Sequence, residues 1–256
     1  MAVGEDRIPA DEDGTISLEG LANPVEGTDE LCEKVFPNLQ ENYRNKDWLS
    51  RRGILAPKHK TVDGLNFNLI QQLPGETRTY KSFNNAFYEY DECEFPRELL
   101  KAVPVSGVPD HILNLKIGAP IMMLRNLDPT RLCNGTRLVV ICLADHLIKA
   151  EVLTGIAKGE MVFIPKIPFI PEGLAFKFKR IQFPVRLCFS MTIKKARGHT
   201  LDIVGLHLLE PCFSHGQLYV ALSRVGSPNH IYAYTGQKFR TKNKVIQNVY
   251  NIHKRT

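Results

Sequence analysis

Residues 214–225 read SHGQLYVALSRV, and this stretch carries the strongest local pattern in the 256-residue chain. Ser214 is the predicted N-cap of a helix, because a serine hydroxyl can accept a hydrogen bond from an early backbone N–H. The apolar residues that follow recur at helical spacing and predict one face buried against a sheet: Leu218, Ala221, Leu222 and Val225. Arg224 then lies near the helix end, where an arginine either compensates the helix dipole or binds a phosphate across a cleft.

The sequence on either side of this stretch alternates between strand and helix patterns. Apolar runs at 185–191, 203–208 and 230–234 predict strands. Much earlier, residues 53–57 form a short apolar run ended by proline, and residues 62–73 follow with near-helical spacing. We therefore expect an α/β fold, with a parallel sheet and flanking helices.

Residues 115–170 differ from these parts, because they form short β-rich runs separated by turn residues. The runs span 119–124, 136–143, 148–153 and 161–164. Several short strands at this spacing predict a small β-barrel. We expect the barrel to be inserted in the α/β domain, whose pieces lie on both sides of it.

The predicted division of the chain follows from these patterns. It assigns an acidic, partly disordered lead-in and connector to 1–50, the α/β domain to 51–108 and 175–256, and the inserted barrel to 109–174. The lead-in is expected because residues 1–30 are rich in Asp, Glu, Gly and Pro, a composition that buries little apolar surface. Further helices are expected at 95–101 and, with a basic composition, at 242–253.

Charge is distributed unevenly along the chain, whose net charge is +6. Residues 1–48 hold 12 acidic and 4 basic residues, whereas residues 174–256 hold 14 basic residues and only Asp202 and Glu210 as acids. A basic excess on one stretch indicates a polyanionic partner, and nucleic acid is the first candidate.

The composition also excludes several classes of protein. No run approaches the roughly 18 apolar residues of a membrane span, and the acidic first 13 residues lack the basic and apolar regions of a signal peptide. We therefore expect a chain that neither spans a membrane nor is secreted. The six cysteines contain no C-x-x-C pair, which argues against zinc knuckles and against a disulfide framework.

A second pattern, SMTIKKARGHTL at residues 190–201, combines small hydroxyl residues with three cations and a glycine. Such a set can contact a phosphate backbone, since hydroxyls and exposed amides donate hydrogen bonds while Lys and Arg neutralise charge. A solvated basic surface is the alternative that the pattern alone leaves open. The sequence has no phosphate loop of the form GxxxxGK(S/T), because none of its glycines is followed by lysine.

Taken in order, five stretches resemble the PIF (petite integration frequency) family of 5′-to-3′ DNA helicases, especially the helicase parts of Helitron-type transposons. GILAP at 53–57 resembles the start of that family's second RecA-like domain. LKIGAPIMMLRNLD at 115–128 and LCNGTR at 132–137 resemble the opening of its inserted barrel of the Src-homology-3 type. Residues 189–201 are similar to the fifth helicase motif and residues 213–225 to the sixth.

The resemblance implies a mechanism. In this family ATP and Mg²⁺ bind between two RecA-like domains, of which the first supplies the phosphate loop and the magnesium carboxylates. The second supplies an arginine from the sixth motif, which Arg224 matches. Gly198 would lie near the terminal phosphate of the nucleotide. Thr192, Lys195 and Thr200 would face the backbone of single-stranded DNA.

The chain departs from the family pattern in two respects. The fifth motif of the family usually reads Asn-Lys-Ser-Gln-Gly-Gln-Thr, whereas residues 194–200 read KKARGHT. These changes add positive charge and remove amide and hydroxyl groups that make directional contacts. The second departure is that the first RecA-like domain has no counterpart in the 256 residues.

We therefore predict the C-terminal portion of a PIF-type ATP-dependent DNA helicase, with single-stranded DNA and a first RecA-like domain, in cis or in trans, as its partners. Alone, the chain is expected to bind neither ATP nor Mg²⁺ tightly and to hydrolyse no ATP. The alternative is a non-enzymatic nucleic-acid-binding remnant of a transposon helicase. The resemblance implies a location in the nucleus, with the mitochondrion as the second choice.

Overall fold

The computed structural model describes residue 11 and residues 14–86, 107–171, 178–236 and 238–244. The chain divides into two compact units, the first formed by Met1–Leu69 with Phe189–Thr256 and the second by Ile70–Cys188. The helix predicted at 95–101 lies outside the described residues.

The described strands, in chain order, are β1 (Thr15–Ser17), β2 (Asn23–Pro24), β3 (Arg52–Ala56), β4 (Arg78–Lys81), β5 (Phe83–Ala86), β6 (Ile112–Leu115), β7 (Pro120–Met123), β8 (Arg137–Leu143), β9 (Leu147–Val152), β10 (Met161–Pro165), β11 (Ile167–Phe169), β12 (Phe178–Gln182), β13 (Val185–Leu187), β14 (Ser190–Thr192), β15 (Ile203–His207), β16 (Ile231–Tyr234) and β17 (Arg240–Lys242). The α-helices among the described residues are α1 (Thr28–Val35), α2 (Leu39–Asn42), α3 (Lys46–Ser50), α4 (His59–Gln72) and α5 (Gln217–Leu222). The same residues also form the 3-10 helices η1 (Ile193–Ala196) and η2 (Pro228–His230).

A parallel sheet with the strand order β14-β3-β15-β16-β2 forms the centre of the first unit. The inner strands β3 and β15 are buried at every position but the first, as parallel strands covered on both faces are. Since all five strands run the same way, their carboxyl ends meet at one edge of the sheet. Ligands of open α/β sheets bind at that edge.

Helix α1 packs closely on the middle of this sheet. Leu31 and Val35 are fully buried. A Cβ atom added to Gly205 of β15 would lie 2.7 Å from Val35 Cγ2 and 3.1 Å from Leu31 Cδ1. Only glycine leaves room for the helix there, because real Cβ contacts do not approach so closely.

The expectation of a loop or disordered lead-in over residues 1–30 is wrong for the described residues from Thr15 onward. Strand β1 pairs antiparallel with β17, and β2 joins the parallel sheet beside β16. Ile16 and Leu18 are buried. These two- and three-residue strands form because distant strands supply their backbone partners, which composition cannot reveal.

The second unit is antiparallel. Its largest sheet has the order β10-β9-β8-β7-β13, and two smaller sheets are β11-β12-β5 and β4-β6. One core cluster, which includes Ile121, Leu138, Ile148 and Phe183, lies inside the unit. The four predicted β-rich runs are confirmed as β7, β8, β9 and β10, while closure into a barrel stays a prediction.

Two predicted elements near the ends of these units need correction. The apolar run 185–191 forms two strands rather than one, because β13 pairs with β7 in the second unit and β14 pairs with β3 in the first. Residue 242 ends β17 instead of beginning a helix, because β1 provides a pairing partner for it. Residues 245–253 of that predicted helix lie outside the described residues.

Candidate nucleic-acid and nucleotide interface

The segment from Ser190 to Thr200 leaves the carboxyl edge of the parallel sheet. β14 is the edge strand beside β3, and η1 follows it without a gap. Of the predicted DNA-facing residues, Lys195 is half-buried and Thr200 is exposed, whereas Thr192 is only 7% exposed. The structure therefore brings the three residues into one short segment but leaves the Thr192 side chain little access to a ligand.

Gly198 lies at the exposed turn after η1. Its φ of +84° belongs to the left-handed region, and no atom lies within 4 Å of the position of a Cβ. The turn therefore requires glycine for its backbone conformation and not for space.

Arg224 binds this turn directly. Its guanidinium donates from Nη1 to Ala196 O at 3.3 Å and to His199 O at 3.1 Å. The same group donates from Nε to Val220 O at 2.8 Å and from Nη2 to Ser223 Oγ at 2.8 Å. Arg224 thus joins the end of α5 to the segment that carries the predicted DNA contacts.

The bonding of Arg224 limits how it could hold a phosphate. A guanidinium has five N–H groups, and the contacts just described engage four of them. A bidentate grip on a phosphate needs two parallel N–H groups. Arg224 fits such a ligand only after releasing at least one of its present partners.

The N-terminus of α5 differs from the predicted cap at Ser214. Gly216 is the N-cap residue, with a φ of +65°, and no side chain caps the helix. Instead, Gln217 Oε1 accepts hydrogen bonds from the backbone N–H groups of Phe213 at 3.0 Å and Ser214 at 3.3 Å. The loop before α5 is therefore fixed by the helix's own first side chain, and the helix starts two residues later than expected for a Ser214 cap.

Sequence reasoning missed one residue that contacts the same segment. Asn66 of α4 is 4% exposed and makes two hydrogen bonds with the backbone of Ser190. The available signal was a polar residue placed between Leu65 and Leu69 on the apolar face of the predicted helix. A buried amide needs partners, so its position already indicated a specific bond.

Ion pairs remove some cations from the basic surface of the first unit. Arg51 pairs with Asp202 at 3.1 Å and Lys58 with Glu210 at 2.9 Å. The hydrogen bond from Lys58 lowers the pKa of Glu210, which keeps that carboxylate charged. Asp202 and Glu210 are the acids of residues 174–256, and both take part in these ion pairs.

Several known proteins are similar to this chain in sequence and in fold. The family model described as DNA helicase Pif1, 2B domain, matches residues 98–143. The ATP-dependent DNA helicase PIF1 of Danio rerio is 34% identical over 190 residues, which cover 70% of this chain and 27% of that protein. The chain is therefore homologous to part of a PIF-type DNA helicase.

Solved structures of PIF-type helicases agree in fold. The crystal structure of Pif1 helicase from Candida albicans matches 90% of this chain and 58% of its own, with a TM-score of 0.61 and 24% identity. Pif1 helicase from Bacteroides in complex with ADP-AlF3 and ssDNA matches 86% of this chain and 53% of its own, with a TM-score of 0.59 and 22% identity. These likenesses establish an α/β helicase fold with mixed sheets.

The magnesium ion that the family resemblance implies takes oxygen ligands such as the carboxylates of Asp and Glu. Within 14–86, 107–171, 178–236 and 238–244, no three His, Cys, Asp or Glu side chains form a group that could hold a metal ion. Nor is any helix among the described residues both long and apolar enough to cross a bilayer.

Proposed function

We propose that this chain forms the second RecA-like domain of an ATP-dependent PIF-type DNA helicase, together with a small β-barrel inserted in that domain. The boundaries 51–108 and 175–256 for the domain, and 109–174 for the barrel, are part of this proposal. The parallel sheet of the first unit and the antiparallel sheet of the second support it, and so do the PIF-type relatives.

The observation that carries the proposal is the direct contact between the two predicted motifs. Arg224, from the sixth-motif stretch, donates two hydrogen bonds to carbonyl oxygens of the fifth-motif stretch. A group that responds to a nucleotide is thereby bonded to the segment that would hold DNA. The exposed cations Lys194 and Arg197, with Lys195 and Thr200, would contact the phosphates of single-stranded DNA.

A nucleotide would be shared with a first RecA-like domain, supplied in cis or in trans. From this chain, Arg224 would stabilise charge on the terminal phosphate and the turn at Gly198 would lie beside it. Hydrolysis of the bound ATP would supply the free energy for movement along the strand in the 5′-to-3′ direction. The nucleus, or alternatively the mitochondrion, would be the place of action.

Measurement of ATP hydrolysis with and without single-stranded DNA tests whether this chain needs the first RecA-like domain for turnover. We expect no turnover from the chain alone, because its sequence has no phosphate loop. A first RecA-like domain from a PIF-type helicase, added in trans, should restore DNA-stimulated turnover, and Arg224→Ala should abolish it. Turnover by the isolated chain that disappears in Arg224→Ala would contradict the proposal.

A second candidate function is that of a non-enzymatic, nucleic-acid-binding remnant of a transposon helicase. The sequence KKARGHT at 194–200 favours it, because charge is gained there while hydrogen-bonding amides are lost. A remnant would bind single-stranded DNA but show no turnover when the first domain is added. The reconstitution assay therefore separates the two candidates.

A further inference from the structure

Asn66 makes a paired contact with the first residue of β14. Its Nδ2 donates to Ser190 O at 3.0 Å, and its Oδ1 accepts from Ser190 N at 2.8 Å. Both residues are buried, with exposures of 4% and 1%. The side-chain amide of α4 thus bonds the backbone of Ser190 as a neighbouring peptide group would.

Strand β14 depends on such support because it is short and lies at the edge of its sheet. It has three residues and pairs with β3 on one side, where Ser190 lies opposite Ile54. A single backbone hydrogen bond contributes little net stability, so a three-residue strand paired on one side gains little from its ladder. Two more bonds at Ser190 fix the point from which the chain enters η1.

The same segment is held at its other end. Arg224 binds the carbonyl oxygens of Ala196 and His199. Side-chain hydrogen bonds therefore hold the backbone of the segment at two positions six residues apart. Asn66 bonds Ser190, and Arg224 bonds Ala196. Lys195 lies between these two fixed points.

We propose that Asn66 is a positioning residue for the nucleic-acid-contacting segment. By fixing Ser190 it sets the register of β14 on β3, and through β14 it sets where Lys195 presents its charge. This inference rests on the proposed function, because it takes single-stranded DNA as the ligand of the segment.

The first test compares two neighbouring asparagines of α4. Asn66→Ala should weaken binding to a fluorescein-labelled oligothymidine about tenfold, because it leaves the N–H and C=O of Ser190 unpaired. Exchange of the Ser190 amide hydrogen should become faster in the same variant. Asn68→Ala is the matched control, since Asn68 is exposed on the same helix, and it should change neither quantity.

A double-mutant cycle distinguishes positioning from general stability. If Asn66 places Lys195, then Lys195→Ala should weaken DNA binding much less in the Asn66→Ala background than in the native chain. The cycle of Asn68→Ala with Lys195→Ala should be additive. All variants are compared at a temperature where circular dichroism shows them fully folded.

Additive effects of Asn66→Ala and Lys195→Ala, or unchanged exchange at Ser190, would overturn the inference. If Asn66→Ala does not fold, Asn66→Asp replaces it, because the aspartate keeps an acceptor for Ser190 N and a similar volume. That variant should keep Ser190 N–H protected yet bind DNA more weakly, and native affinity would contradict the inference. If the native chain binds no single-stranded DNA, the proposed function fails, and the exchange rate of Ser190 alone decides whether Asn66 holds β14.

Discussion

Arg224 joins two parts of the chain through hydrogen bonds of its guanidinium. Its side chain bonds Val220 within α5, Ala196 at the end of η1 and His199 beyond it, in each case at the carbonyl oxygen. The backbone continues the link, since Leu201 N donates to Arg224 O at 2.9 Å. Arg224 therefore has a structural role that is separate from any contact with phosphate.

We expect Arg224→Lys to loosen the turn at 196–201 while α5 stays folded. A lysine ammonium cannot reproduce the planar fork that reaches Ala196 and His199 together. Hydrogen exchange measured by mass spectrometry should be faster at 196–201 than in the native chain. Arg197→Lys is the control, because Arg197 is exposed. Native exchange rates in Arg224→Lys would show that the guanidinium does not hold the turn.

His207 gives the first unit a pH-dependent stability. It ends β15 with 7% exposure, and its Nε2 lies 3.1 Å from Thr28 Oγ1. Burial lowers the pKa of His207, and the Glu210 carboxylate opposes this effect less strongly. The folded state therefore favours the neutral ring, so its stabilising contribution is complete above the unfolded pKa of about 6.5 and is lost as pH falls below it.

We expect the free energy of unfolding to decrease from pH 7.5 to pH 5.5, and to decrease less in His207→Gln. Glutamine keeps a group that can bond Thr28 but does not titrate. Urea unfolding at the two pH values measures the difference. His146→Gln is the control, because His146 is exposed. Equal pH dependence in His207→Gln and the native chain would contradict the assignment.

At the scale of elements, the contact between α1 and β15 leaves no room for a side chain at Gly205. Gly205→Ala would place a Cβ atom 2.7 Å from Val35 Cγ2. Overpacking of this kind costs about 1–3 kcal/mol of unfolding free energy, measured by urea denaturation. Val35→Ala in the same chain should recover part of the loss, since it removes the clashing methyl group.

Gly64→Ala is the matched control for that substitution. Gly64 lies inside α4, and a Cβ there meets no atom within 4 Å. Alanine should stabilise the helix by about 0.5–1 kcal/mol, because glycine has more backbone freedom to lose on folding. Destabilisation of similar size at Gly64 and Gly205 would mean that the close approach of Val35 is not the cause.

The sequence predicts those elements whose own apolar residues recur at the spacing of a strand or a helix. β3 and α4 were expected from an apolar run and a helical stripe, and both are confirmed. β1 and β2 were not predicted, because these short strands form only by pairing with β17 and β16, which lie far away in the sequence.

The residues of the candidate site could be predicted from motifs, but the contacts among them could not. A motif can indicate that Arg224 and Gly198 belong to one site, but it cannot show that the arginine already bonds the neighbouring turn. Asn66 was not foreseen, since its partner is the backbone of Ser190, 124 positions away. Side-chain bonds to a distant backbone carry no signature in the partner's sequence.

At the scale of the whole molecule, charge is sorted between the acidic beginning of the chain and its basic later part. In the first unit, ion pairs engage Arg51 and Lys58, whereas Lys194 in η1 and Arg197 just after it are exposed. We therefore expect electrostatic binding of single-stranded DNA to centre on residues 194–197. Such binding weakens with salt, because each phosphate contact releases condensed counterions.

The most direct test is a salt titration of the affinity for an oligothymidine, measured by fluorescence anisotropy. With about four phosphate contacts, the logarithm of the binding constant should fall against that of the salt concentration with a slope near −3. The double variant Lys194→Ala, Lys195→Ala should make the slope shallower by about 1.4, whereas Lys34→Ala, on the acidic part of the chain, should leave it unchanged. A salt-independent affinity, or no binding at low salt, would contradict the proposal that residues 194–197 bind single-stranded DNA.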